Sequence, residues 1–160
     1  MKEITQIASH KILNIIDTEW AFLSNLSEQT VSATPGENKW SIKQILGHLI
    51  DSASNNHQRM VRLQYQQHLI FPDYTADNET WVAVQAYQQE SWNSLVTLWK
   101  YYNLHIAHLI MNIDANCLLH EWPNSKGNTV TLAMMLTGYS EHLSMHMQDI
   151  HAIAANFIRR

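Results

Sequence analysis

The chain has 160 residues, 46% of them hydrophobic and 15% charged, which suits one folded domain over residues 1–160 and excludes disorder. Gly (4) and Pro (3) are scarce, so folds that need many turns give way to a few long helices. A formal charge of −4, with no basic stripe, argues against nucleic acid as a partner.

Further classes fall away on simple grounds. The single Cys117 rules out an intramolecular disulfide and a thiolate metal cluster within one chain. The opening stretch MKEITQIASHKILNII lacks a signal-peptide core, and no apolar run approaches membrane-spanning length. The expectation is a soluble, cytoplasmic protein with no membrane partner. Ten histidines stand out.

Four helical patterns follow in chain order. The first covers residues 3–27, with Ile4, Ile7, Ile15, Ile16, Phe22, Leu23 and Leu26 at helical spacing, and breaks at Pro35-Gly36. The second begins at a capping box of Ser41 and Gln44, with Trp40 placed to staple onto Ile45, and runs to residue 68. Residues 71–78 read as a connection. The third is one long helix over 79–112, with an aromatic stripe through Trp81, Trp92, Trp99 and Tyr102 that belongs to a core. Residues 114–130 read as a loop, and the fourth helix covers 131–157. The fold class expected is all-α, a four-helix bundle.

On the fourth helix, His142 and His146 sit four residues apart beside the apolar stripe of Leu132, Met135, Tyr139, Ile150 and Ile153. That spacing lets two imidazoles converge on one ion, although such a pair taken alone is more often packing or surface. On the second helix His48 flanks the stripe, followed by Ser52, Asn55 and Arg59 with Asp51 nearby. This polar strip suits the wall of a wet pocket better than a core. Three nitrogen ligands would leave a coordination position for water or substrate, as in catalytic zinc sites. His105 and His108 form a weaker second pair; His10, His57, His68, His120 and His151 read as exposed or helix-end residues. No phosphate-cradling loop, HExxH or G-x-S-x-G is present, and Cys117 has no basic neighbour to activate it.

The segment Lys39-Trp40-Ser41-Ile42-Lys43-Gln44-Ile45-Leu46-Gly47-His48-Leu49 resembles the start of the second helix in the DinB-like superfamily. Gly138-Tyr139-Ser140-Glu141-His142-Leu143-Ser144-Met145-His146-Met147-Gln148-Asp149-Ile150 resembles its fourth-helix HxxxH segment. The resemblance spans the chain in length, helix order and motif position. It implies a four-helix bundle, commonly dimeric, with one divalent metal ion on His48, His142 and His146.

Zinc or nickel suits those ligands best, with copper, iron and cobalt also compatible. Among relatives the resemblance implies S-transferases or isomerases using a low-molecular-weight thiol such as bacillithiol or mycothiol, and metal-dependent hydrolases. Asp51, Ser52, Asn55 and Tyr139 are expected to meet a small-molecule substrate, and Asp149 to orient His146. A non-catalytic bundle tied together by its ion is the competing reading. An apolar-rich, aromatic-rich chain this small also points to a homodimer, as does the resemblance.

Overall fold

The computed structural model describes residues 2–158. Four long helices form the bundle: α1 (Lys2–Ser24), α3 (Ile42–Leu63), α5 (Trp92–Met111) and α6 (Leu132–Ile158). Two short helices, α2 (Glu28–Ser32) and α4 (Asn78–Val84), lie in the connections, and the strands β1 (Glu121–Pro123) and β2 (Thr129–Thr131) pair as an antiparallel hairpin. Helix α1 packs on α5 and α6, and α3 packs on the same two helices. Apolar residues of all four form one cluster, with Ile12, Leu46, Trp99, Ile106 and Leu143 fully buried. No helix among the described residues is long and apolar enough to cross a membrane.

Helix α3 begins where the sequence places it. The Ser41 hydroxyl accepts from Gln44 N at 3.2 Å, and the Gln44 side chain accepts from Ser41 N at 2.9 Å, so both halves of the capping box are made. Trp40 does something further: its indole N–H donates to Glu79 at the start of α4, 3.0 Å away.

Three segments depart from the expected elements, each for a local reason. Helix α1 stops at Ser24, and Ser27 then caps the separate helix α2, whose Val31 is fully buried. Helix α3 ends at Leu63 rather than 68, because residues 67–69 leave to pair with the hairpin: Glu121 N donates to Gln67 O and Leu69 N to Glu121 O. Leu69 is buried in consequence. The expected third helix is broken between α4 and α5, at Ala86 with φ 54° in the left-handed region. Tyr87 is pulled inward there, its hydroxyl donating to Asp51 at 2.6 Å, and Ser91 restarts the helix as an N-cap. Val84, at the end of α4, is 74% exposed.

The loop expected over 114–130 contains the hairpin. Its turn places Gly127 at φ +76°, and Asn124 Oδ1 accepts from the backbone of Lys126 and Asn128. Trp122 stands opposite Val130 and is buried against α3.

Candidate metal centre

His48 lies on the second turn of α3, and His142 and His146 lie on adjacent turns of α6, the helix that packs beside it. One ligand atom from each of the three falls within 4.8 Å of the other two. The ring centroids are 5.1 Å apart for His48 and His142, 5.1 Å for His48 and His146, and 4.5 Å for His142 and His146. The Nε2 atoms of His48 and His142 approach to 3.2 Å. A tetrahedral ion bonded at roughly 2.0–2.1 Å sets its nitrogen ligands about 3.3 Å apart, so the spacing of this pair suits a shared ion.

The other ring nitrogens divide the roles. His146 Nδ1 meets Asp149 Oδ2 at 3.0 Å, and His142 Nδ1 meets Ser52 Oγ at 3.4 Å, which leaves both Nε2 atoms for the centre. His48 Nδ1 is buried without a partner among the described residues. Electrostatics agree with a donor set held neutral. Burial, then the neighbouring imidazoles of His142 and His146, bring His48 down to about 3. Burial and His146 bring His142 down to about 4. Neutral imidazoles are the ligating form.

A cavity of ≈ 430 Å³ opens beside the cluster, with His48, Ser52, Tyr139 and His142 on its wall. A second, of ≈ 490 Å³, is lined by His146, Asp149, Trp40 and Ile153. The cluster therefore contributes to both.

Other expected pocket residues are placed differently. Asp51 lines neither cavity; its Oδ1 accepts from Tyr87 at 2.6 Å and Gln85 at 2.5 Å, and burial, outweighing those bonds, raises its pKa. Asn55 turns its amide onto the Asp51 carbonyl one turn back, and Asn56 takes the cavity position instead. Tyr139 is on the cavity's lining, but its hydroxyl is committed to Asn103 in the core at 2.6 Å. Sequence reasoning missed Tyr74 and Trp122, which complete the wall from the connection and the hairpin. Neither carries a helical periodicity that could have aimed it there.

The peripheral histidines are more engaged than their sequence suggests. His120 meets the Leu63 carbonyl at the end of α3, His151 pairs with Glu19, and His68 pairs with Glu121. His57 contacts the Tyr102 hydroxyl at 3.2 Å and has the exposed His105 ring 5.2 Å away.

The sequence profile of the DinB superfamily matches residues 17–150, a span that holds all three clustered histidines. The chain belongs to the DinB superfamily. No curated protein matches this member's sequence. Its fold is similar to that of YfiT from Bacillus subtilis, described as a probable metal-dependent hydrolase with an unusual four-helix bundle topology. The TM-score is 0.74 at 14% identity, covering 98% of this chain and 85% of that one. It is also similar to a mycothiol-dependent maleylpyruvate isomerase, with TM-score 0.74 at 13% identity over 91% of this chain. This DinB chain spans 60% of the isomerase's length. At such identities the likeness establishes the shared bundle.

Proposed function

We propose that this DinB protein is a metal-dependent enzyme acting on a small molecule, and that a low-molecular-weight thiol is its co-substrate. The observation that carries the reading is the three-histidine cluster, two of whose members, His48 and His142, line the wall of the ≈ 430 Å³ cavity. Among the described residues, the group able to hold an ion has three members, which leaves room in a four-coordinate shell for an exogenous ligand. The donors are all neutral nitrogen, which suits zinc or nickel. A divalent ion there would supply positive charge that lowers the pKa of a coordinated thiol or water.

The chain's own residues favour the thiol over hydrolysis. Hydrolysis calls for a carboxylate or imidazole free to take a proton beside the ion. Asp149 is engaged by His146 and lines the second cavity, and Asp51 is held by Tyr87 and Gln85 outside both. Asp73, the carboxylate that does line the cavity, accepts from Thr75 and the Ser125 backbone. A thiol needs no such base, because its proton is released near neutral pH once the thiolate is stabilised. Ser52 beside His142, and Tyr139, contribute to the wall that a substrate meets.

Metal-loaded protein is expected to speed conjugation of at least one biological thiol with an activated aryl halide. The rate should disappear with chelator and in His142→Ala, with helical content unchanged. Turnover of esters or amides, with no thiol perturbing a cobalt-substituted spectrum, would replace this reading with the hydrolase.

A further inference from the structure

At the opposite end of the same cavity a buried cation stands with most of its donors unused. Arg59 lies eleven residues after His48 on α3, about three helical turns, and therefore on the same face. It is only 3% exposed, yet it lines the cavity. A guanidinium presents five N–H donors. Among the described residues its one hydrogen bond runs from Nη2 to the Pro72 carbonyl at 3.1 Å, and Nε is buried without an acceptor.

The nearest acid does not meet this demand. Asp73 Oδ1 is 3.7 Å from Nη2, beyond hydrogen-bonding distance. Its oxygens are already taken: Oδ1 accepts from the Thr75 backbone and hydroxyl, and Oδ2 from Ser125 N. The guanidinium lies over an aromatic ring instead, with Cζ 4.0 Å from the Trp122 ring centroid. A guanidinium packed on an aromatic ring with donors to spare is suited to recognising a carboxylate or phosphate. Lys126, on the exposed hairpin turn, adds a second positive charge to the same cavity. Two cations and one acid give this end a net positive charge.

We propose that Arg59 and the β1–β2 hairpin form an anion subsite, so that the substrate is a small molecule with a carboxylate or similar anionic terminus. Resting on the functional reading above, the metal-binding group of that molecule lies at the histidine cluster and its anionic end lies at Arg59. Tyr74 stands between the two, its ring 6.4 Å from His48 and 6.0 Å from Arg59 Cζ. The molecule lies along this buried ring.

Hexanoate and hexanol, matched in length and differing in charge, test the subsite without calling on turnover. In the protein as purified, hexanoate is expected to bind about tenfold or more tightly than hexanol, the scale of a charge-assisted bond. It should shift the Arg59 Nε–H resonance in a nitrogen–proton correlation spectrum. The shift should persist in His142→Ala, vanish in Arg59→Gln and weaken a few-fold in Lys126→Ala. Equal binding of acid and alcohol in the unaltered protein, or an unmoved Nε–H signal, overturns the subsite and needs no variant to fold. Binding retained in Arg59→Gln but lost in His142→Ala places the carboxylate on the ion, and also overturns it. If the subsite holds while no thiol perturbs the cobalt spectrum, the thiol-dependent function fails and the anion subsite stands.

Discussion

Asp149 sits one turn after His146 on α6, with its Oδ2 3.0 Å from the imidazole Nδ1. The contact selects the tautomer: Nδ1 carries the proton toward the carboxylate, and Nε2 is left with a lone pair for the ion. Replacing Asp149 with Ala is expected to weaken metal affinity about 10–100-fold while leaving the bundle folded. Asp149 is about half exposed at its side chain, so its contribution to folding itself is small. Competition titration against a chelator, alongside far-UV circular dichroism, checks both halves; unchanged affinity would remove Asp149 from the site.

The metal-free protein should be acid-sensitive in a defined window. An ordinary histidine titrates near 6.5, whereas burial and like neighbours hold folded His48 near 3 and His142 near 4. Between those values the unfolded chain binds protons that the folded chain refuses, so stability rises with pH. The contribution is fully present above about pH 6.5 and is lost as pH falls toward 4 and then 3. Thermal melts of chelated protein should therefore show Tm falling from pH 7 to pH 5. In His48→Gln the pH slope should be shallower by about one proton. An identical slope in that variant would show that His48 does not titrate as described.

Gly47 records how closely the broken segment between α4 and α5 is seated. A Cβ at this position would stand 2.2 Å from the Tyr87 ring. Gly47→Ala must displace the ring and loosen the 2.6 Å bond from Tyr87 to Asp51. Overpacking of this kind costs about 1–3 kcal/mol. Urea denaturation should show that loss, and Tyr87→Ala in the same chain should restore part of it. A neutral Gly47→Ala would mean that the segment is not docked on α3 in solution.

A homodimer is the assembly we propose, with Ile7 and Leu119 on a shared apolar hollow and the exposed Met134 as further apolar surface. Ile7 and Leu119 are 59% and 75% exposed. Light scattering should give twice the chain mass, and Ile7→Lys should lower it to one chain. A monomer mass across a wide concentration range would contradict the proposal.

Much of this architecture is legible in the sequence because it is periodic. Ser41 and Gln44 announce the start of α3, and the i, i+4 spacing of His142 and His146 puts both rings on one side of α6. What escapes periodicity is set by long-range contacts. The helix break at Ala86 follows from Tyr87 finding Gly47 and Asp51, neither of them local to it. The early end of α3 follows from residues 67–69 pairing with Glu121, more than fifty positions away. Asn55 and Asn56 differ by one position on the helix, about 100°, and that rotation decides which faces the cavity. The cavity's far wall of Tyr74 and Trp122 comes from connections, where no repeat pattern exists to read.

The central claim is that His48, His142 and His146 together hold one ion, and metal analysis of purified protein tests it most directly. About one divalent ion per chain is expected, falling to a small fraction in each of His48→Ala, His142→Ala and His146→Ala. His105→Ala, which alters a histidine outside the cluster, should keep the full content. Full occupancy in any one of the three cluster variants, or equal loss in His105→Ala, would contradict it.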